Sequence, residues 1–276
     1  MNQDQALETD RYHTLLLAID TSEYGVGAQR VALALAARCR ARLVFLKLQR
    51  SDAVDHEKEL LLQQQIDGIG QRCREVGVTL ELLTRQASDP AEGILEAVTA
   101  VTADMVIMGR RGTRGLARFK IGEATARVIN KAPCKVLVVP RRADMWQKGI
   151  LVAVDESDQA SQVLSAAVAM AKLVQLPLTV LSVATSSDEL TVRKHNMIVN
   201  RMVALARQEE VEAAGTVAVG APEKEILAMV EEHPVDLIIG GEVERGSLLD
   251  KWFSDKVMYK VTAGTNLPVM LVKGNG

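Results

Sequence analysis

Short apolar runs and amphipathic stretches alternate along this chain. LLLAID (15–20) is apolar for most of its length and of strand size, the mark of a strand buried on both faces. Thr21 and Ser22 follow as capping residues, and Val31, Leu35 and the alanines between them form one helical face. ARLVFLKLQ (41–49) predicts the next strand. DHEKELLLQQQIDGIGQRCREVG (55–77) predicts a long amphipathic helix closed by Gly77. VTLELLTR (78–85) alternates as a strand. Asp89 caps a helix with Pro90 at its first position and Glu92 three residues on, the spacing of a capping box. DMVIMG (104–109), EATARVINK (123–131) and KVLVVP (135–140) then predict strand, helix and strand.

The order repeats. Strands are predicted at 149–155, 177–184, 214–219, 235–240 and 268–273, with helices at 158–174, 188–210, 222–232 and 255–263 between them. Asp20 and Asp155, Ile94 and Ile226, Asp104 and Asp236, and Val136 and Val269 lie 132 to 135 residues apart. A period of that size means duplicated domains, not a solenoid. The domains are expected at 1–142 and 148–276, joined in the charged stretch RRADMWQKG (141–149). Alternating strands and helices imply a parallel, helix-covered sheet with right-handed crossovers, an α/β fold.

Composition narrows the function classes. The 276 residues carry a net charge of −2 and only 3% aromatics. That argues against a globally basic nucleic-acid binder and against stacking platforms for single strands. No apolar run reaches the ~18–20 residues that span a bilayer, so neither nucleic acid nor membrane is an expected partner. The polar, acidic start reads as neither a signal nor a transit peptide. Cys39, Cys73 and Cys134 form no CxxC, so neither a disulfide framework nor a cysteine zinc site is expected. The expected compartment is the cytoplasm.

In open α/β sheets, ligands sit beyond the carboxyl ends of the strands. In the first half those ends are Ala18-Ile19-Asp20, Leu46-Lys47-Leu48 and Met108-Gly109. The last runs into GRRGTRGLARFKIGEAT (109–125), which holds Gly109, Gly112, Gly115 and Gly122. Arg110, Arg111, Arg114, Arg118 and Lys120 stand in the same loop, with no acid between Gly109 and Gly122. Glycines let the backbone approach an anion, and free amides at a helix start favour phosphate. The loop alone admits two readings, a phosphate cradle or a solvated basic loop with turn glycines.

Gly109-x2-Gly112-x9-Gly122 resembles the ATP-binding motif G-x2-G-x9-G-(S/T) of the universal stress protein family. LLLAIDTSE, SDPAEGILEA, ADMVIMGRRG and APCKVLVVP resemble other family segments in the same order, covering 12–140, and 148–273 matches more weakly. The resemblance implies two tandem Rossmann-like domains, each a five-stranded parallel sheet of order 3-2-1-4-5. It implies final strands that pair into an internal pseudo-dimer, Val136–Val139 against Val269–Val272. Two such chains associating as a homodimer is a further expectation. It implies an adenine nucleotide (ATP, ADP or AMP) in the first domain, with magnesium only beside a triphosphate. By position, Ala18, Ile19 and Asp20 would line adenine and ribose, and Leu48 would border the base. Met108, Gly109, Arg111, Gly112, Gly122, Glu123 and Ala124 would surround ribose and phosphates, and Thr125 would reach a phosphate from the first helical turn.

Glu123 stands where the motif has serine or threonine. A carboxylate there suits the helix dipole but repels a phosphate, by about 4 kcal/mol at ~4 Å and an effective dielectric near 20. Three outcomes stay open: it points outward, it favours AMP or an uncharged ligand over ATP, or it fills the site. Aligned with 109–125, the second half reads GGEVERGSLLDKWFSDK (240–256), with Val243 at the place of Gly112 and Phe253 at that of Gly122. Its counterpart of the cationic stretch carries Glu242, Glu244 and Asp250 against Arg245 and Lys251, so no nucleotide is expected there. Trp252 and Phe253 cap that pocket or pack in the core.

Asp20 and Asp155 are expected to contact ligand or hold a turn rather than catalyse. His13, His56, His195 and His233 show no metal-ligand spacing, and Cys134 reads as a core thiol. The leading expectation is a nucleotide-binding stress-response regulator without efficient catalysis. The alternatives are a scaffold holding a non-nucleotide ligand or an unidentified partner protein in the second-domain cleft, and a slow ATPase.

Overall fold

The computed structural model describes residues 12–20, 22–49, 56–110, 121–242 and 254–273. They form two compact units divided between Met145 and Trp146.

In the first unit, the strands are β1 (Thr14–Ala18), β2 (Arg42–Gln49), β3 (Leu80–Gln86), β4 (Met105–Gly109) and β5 (Lys135–Val139). All run parallel in the order β3-β2-β1-β4-β5. β1 and β4 are buried throughout, as expected for central strands with helices on both faces. The helices are α1 (Val26–Cys39), α2 (His56–Glu75), α3 (Pro90–Val101) and α4 (Glu123–Lys131). Predicted α4 bounds agree with the observed ones, and Asp89 is the N-cap of α3 as its spacing requires. Its Oδ1 accepts from Ala91 N at 2.8 Å and Glu92 N at 3.1 Å. The chain after β5 lies on α1. A Cβ on Gly27 would stand 2.1 Å from the Pro140 carbonyl oxygen, so only glycine fits. Arg30 Nη2 donates to the carbonyl of Ala143 at 2.9 Å.

The second unit repeats this plan. Its strands are β6 (Ile150–Ala153), β7 (Leu178–Ala184), β8 (Ala213–Val219), β9 (Leu237–Glu242) and β10 (Val269–Lys273). They are parallel in the order β8-β7-β6-β9-β10, the 3-2-1-4-5 order again. The helices are α5 (Ala160–Val174), α6 (Glu189–Gln208), α7 (Pro222–Glu232) and α8 (Ser254–Gly264).

One repeated pair of residues has a structural cause. Asp104 Oδ2 accepts from His13 N at 2.7 Å and Thr14 N at 2.8 Å, fixing the start of β1. Asp236 Oδ2 accepts from Gln147 N at 2.7 Å and Lys148 N at 3.1 Å, just ahead of β6. Each carboxylate satisfies amides at or just ahead of the start of its domain's first strand.

The start of α1 differs from the sequence expectation. Thr21 lies outside the described residues. Ser22 N-caps only a short 3-10 turn, Glu23–Gly25, and makes no side-chain cap bond. Its hydroxyl bonds back to Asp20, and α1 begins at Val26 behind Gly25.

Candidate functional site

The carboxyl ends of β1, β2 and β4 meet in the first domain: Ala18 stands opposite Leu46 on one side and Met108 on the other. Strand β1 stops at Ala18, which frees Ile19 and Asp20 to turn away from the ladder. Asp20 Oδ1 accepts from Ser22 N at 3.0 Å and from the Ser22 hydroxyl. That is an Asx turn, which mimics a backbone turn and places the carboxylate at the rim. Asp155 repeats it after β6, with Ser157 N at 3.0 Å. Ile19 lies over Gly25, whose α-carbon leaves it room: a Cβ there would stand 3.0 Å from Ile19 Cβ. Leu48, half-buried, lies over Gly93 of α3 in the same way, where a Cβ would stand 2.8 Å from Leu48 Cδ2.

The described ends of the glycine-rich loop meet in hydrogen bonds. Gly122 N donates to Arg110 O at 2.9 Å, and Arg110 N to Val139 O at 3.3 Å. Arg111 and Gly112 lie outside the described residues, as do the other loop cations, Arg114, Arg118 and Lys120. Gly122 is the N-cap of α4 and offers no side-chain cap, so the first amides of the helix, those of Glu123, Ala124 and Thr125, have no intrahelical acceptor. They lie at the positive end of the helix dipole, where Gly122 bonds to Arg110 and Thr125 to Gly109.

Thr125 sits differently from the expectation that it reaches outward to a phosphate. It is only 4% exposed, and its hydroxyl donates to the Gly109 carbonyl at 3.2 Å. The bond fastens the first turn of α4 to the end of β4. Glu123, next to it, is exposed. Its charge reaches Arg127 one turn on, where it adds to Asp89, the main cause, and Glu92 in raising the guanidinium pKa. Arg127 bonds to Asp89 and holds that carboxyl below the usual carboxylate range, with the cap bonds to Glu92 and Ala91 amides adding to it. Arg127 Nη2 also lies 3.4 Å from Glu92 Oε1. Glu92 therefore turns to Arg127, and the reciprocal half of the capping box is not made.

The second domain keeps the frame and changes its contents. Ala153 pairs with Gly240, as Ala18 pairs with Met108, so Gly241 is the counterpart of Gly109. This corrects the alignment read from sequence, which set Gly109 against Gly240. Val243 and Phe253, and the acidic loop with Trp252, lie outside the described residues. In α8 the buried positions Val261 and Met258 match Val128 and Thr125 of α4. A thioether thus replaces the Thr125 hydroxyl. A Cβ on Gly240 would stand 2.5 Å from Met258 Sδ, so Met258 fills the space that the Met108 side chain occupies in the first domain.

A polar cluster at the same edge was not legible in the sequence. Ser182, in β7, is fully buried, and its hydroxyl lies 2.8 Å from Val154 O and 2.8 Å from His195 Nδ1. His195, in α6, is 7% exposed, and its Nε2 lies 3.3 Å from Glu156 Oε1. Glu156 follows β6 and also bonds to Lys194. Three separate elements supply these residues, so no local spacing announces them.

Cys39 and Cys134 are half-buried, not core residues, and desolvation pushes their thiols up to about 11, which makes them poor nucleophiles. Among the described residues no three metal-ligating side chains converge, and no helix is long and apolar enough to cross a membrane.

The model of the universal stress protein family matches residues 11–140 and 147–273. A Thermus aquaticus universal stress protein is 30% identical over 136 residues, covering 46% of this chain and 98% of its own length. A Synechocystis universal stress protein is 28% identical over 151 residues, 46% of this chain and 97% of its own length. Among solved structures, a universal stress protein from Archaeoglobus fulgidus superposes over 96% of this chain and 97% of its own, with TM-score 0.75 and 20% identity. A functionally unknown protein from Pseudomonas aeruginosa covers 96% and 94%, with TM-score 0.73 and 17% identity.

Proposed function

The chain belongs to the universal stress protein family in both halves, and from that premise we propose that it is a stress-response regulator whose first domain binds an adenine nucleotide without efficient turnover. The observation that carries this reading is the start of α4. Its first amides have no capping side chain and lie beside Gly109, at the carboxyl edge where sheets of this order take ligands. Phosphates would lie against the amides of Glu123 and Ala124 and the loop of Gly109, Arg111, Gly112 and Gly122. Adenine and ribose would lie between Ala18, Ile19, Asp20 and Leu48, with Met108 behind them. Thr125 acts through the frame, by holding α4 to β4. Magnesium enters only with a triphosphate.

The reading of low turnover rests on the side chains available. Asp20, the carboxylate at the rim, is engaged by Ser22 in holding the turn. A slow ATPase predicts turnover above background that vanishes in Asp20→Ala.

Thermal melting of the full chain with AMP, ADP and ATP tests the proposal. Nucleotide raises the melting temperature, by about 2.7 kcal/mol of added stability at a hundredfold excess over Kd, and Gly112→Val abolishes the rise. Native mass spectrometry of freshly purified protein reports any nucleotide that co-purifies. A homodimer is part of the same proposal, and elution at the mass of one chain counts against it.

A second reading is favoured by the sequence of the second domain. With Val243 and Phe253 in place of motif glycines and Glu242, Glu244 and Asp250 against Arg245 and Lys251, that half suits a non-nucleotide ligand or a partner protein better than a phosphate. A co-purified mass that is not a nucleotide would support it.

A further inference from the structure

The Ser182–His195–Glu156 cluster sets a proton count that a neutral ring cannot meet. Three contacts are in place: Ser182 Oγ to Val154 O at 2.8 Å, Ser182 Oγ to His195 Nδ1 at 2.8 Å, and His195 Nε2 to Glu156 Oε1 at 3.3 Å. Val154 O and the ionised Glu156 can only accept. Ser182 has one proton. If it goes to Val154 O, His195 Nδ1 must donate to Ser182 Oγ. A neutral ring then has a bare Nε2, and its lone pair faces a carboxylate. If the neutral ring carries its proton on Nε2 instead, Nδ1 must accept from Ser182, and Val154 O loses its donor. Either neutral tautomer satisfies two contacts of the three. The imidazolium satisfies all of them.

The surrounding charges leave that choice to the proton. Glu156 is the acid at ion-pair distance from the ring, and Lys194 holds its other oxygen. From β7 the facing group is the neutral Ser182 hydroxyl. Asp155 is tied to Ser157, and Asp188 caps the Thr191 amide at the start of α6. From α5, Lys172 pairs with Glu209 at the far end of α6. In the first domain a lysine stands where the second has Ser182. Leu46 pairs with Ala18, and Leu181 with Ala153, so the next residues, Lys47 and Ser182, correspond. Lys47 bonds to Glu59 of α2.

We propose that His195 is a proton-operated latch on the second domain. On taking a proton from solvent, the ring ties the loop after β6, through Glu156, to β7 and α6. On losing it, the ring releases one of the three contacts, and the loop of Val154, Asp155 and Glu156 is held less firmly. That loop forms one wall of the carboxyl edge at which this sheet would take a ligand. Acidification through the histidine range therefore firms the rim of the second-domain cleft.

Ring ¹⁵N spectra and amide exchange of the full chain, read between about pH 8 and about pH 5.5, test the latch. The expected result is both ring nitrogens of His195 protonated at the acid end. Protection of the 155–157 amides, corrected for intrinsic exchange, rises about threefold to tenfold over the same range. Glu156→Gln, a half-exposed site that tolerates change, brings the rise below about twofold, whereas Lys194→Met keeps it. A ring that stays singly protonated throughout would overturn the proposal, and so would an equal rise in Glu156→Gln.

Discussion

The guanidinium of Arg127 in α4 bonds to the carboxylate of Asp89, the N-cap of α3. In the second domain Lys260 of α8 bonds to Glu223 in the first turn of α7. The acid moves from the cap into the first turn, and the cation changes from arginine to lysine, yet both domains join the same two helices. These helices flank the carboxyl edge, so the brace fixes the starts of α4 and α8 relative to the sheets.

These bonds give the protein an acid limb of known sign. Arg127 holds Asp89 below the ordinary carboxylate range, and Lys260 does the same for Glu223. Hydrogen bonds from Thr191 hold Asp188 at about 2. A depressed folded value contributes stability that is present above the unfolded pKa and is lost as pH falls through the folded one. The contribution of these three carboxylates to the melting temperature is therefore constant from about pH 7 to about pH 5 and falls from about pH 4 towards about pH 2. Asp89→Asn lowers the melting temperature by a few degrees at neutral pH and flattens part of the acid slope in calorimetry. An unchanged slope in that variant would remove Asp89 from the account.

Met258 and Gly240 form a size-exchanged pair relative to Thr125 and Met108, and their energies are coupled. A Cβ on Gly240 would press on Met258 Sδ at 2.5 Å, so Gly240→Ala costs about 1–3 kcal/mol by overpacking. Met258→Ala opens a cavity and costs about 2–5 kcal/mol. In the double variant the new methyl occupies part of that cavity, and the sum falls short by more than about 0.5 kcal/mol in denaturant titrations. Strict additivity would mean the two residues do not share the space.

The same pair marks how far the sequence can be read. The succession of strands and helices, the Asp89 cap and the bounds of α4 follow from apolar period and capping chemistry, which act over a few residues; the duplication follows from segments repeated 132 to 135 residues apart, and the strand order is what the family resemblance implies. The repeated Asp104 and Asp236 were visible as matches, but their task of fixing the strand starts needed three dimensions. Met258 stayed hidden because the loop before α8 shifts the register by one residue between strand and helix. His195 stayed hidden because its partners, Ser182 and Glu156, come from other elements. The resemblance placed Thr125 at the phosphate, and its buried bond to Gly109 shows a structural duty that motif spacing does not reveal.

That bond yields a direct test. Thr125→Val keeps the shape and removes the donor, so the Gly109 carbonyl loses a buried partner at a cost of about 1–2 kcal/mol. Thr125→Ser retains the hydroxyl and recovers most of the loss. Unfolding in urea distinguishes them. Equal losses in both variants would assign the effect to the methyl group and not to the hydrogen bond.

If the first domain binds a nucleotide as proposed, Glu123 is expected to bias which one it takes. Its carboxylate stands at the first position of α4, beside the uncapped amides, and with Asp89 and Glu92 it acts on the guanidinium of Arg127. Coulomb repulsion grows with the number of phosphate charges brought near, so ATP is penalised more than AMP, and adenosine not at all. Glu123→Ser removes the charge and adds a hydroxyl at the helix start. The expected outcome is an ATP Kd lower by about tenfold, a smaller gain for AMP and none for adenosine, measured by calorimetric titration at low salt. The gain shrinks as salt rises, because a partly exposed charge is screened. Equal gains for ATP, AMP and adenosine would mean that Glu123 acts by filling space, whereas no gain for any of them would place its carboxylate away from the phosphates.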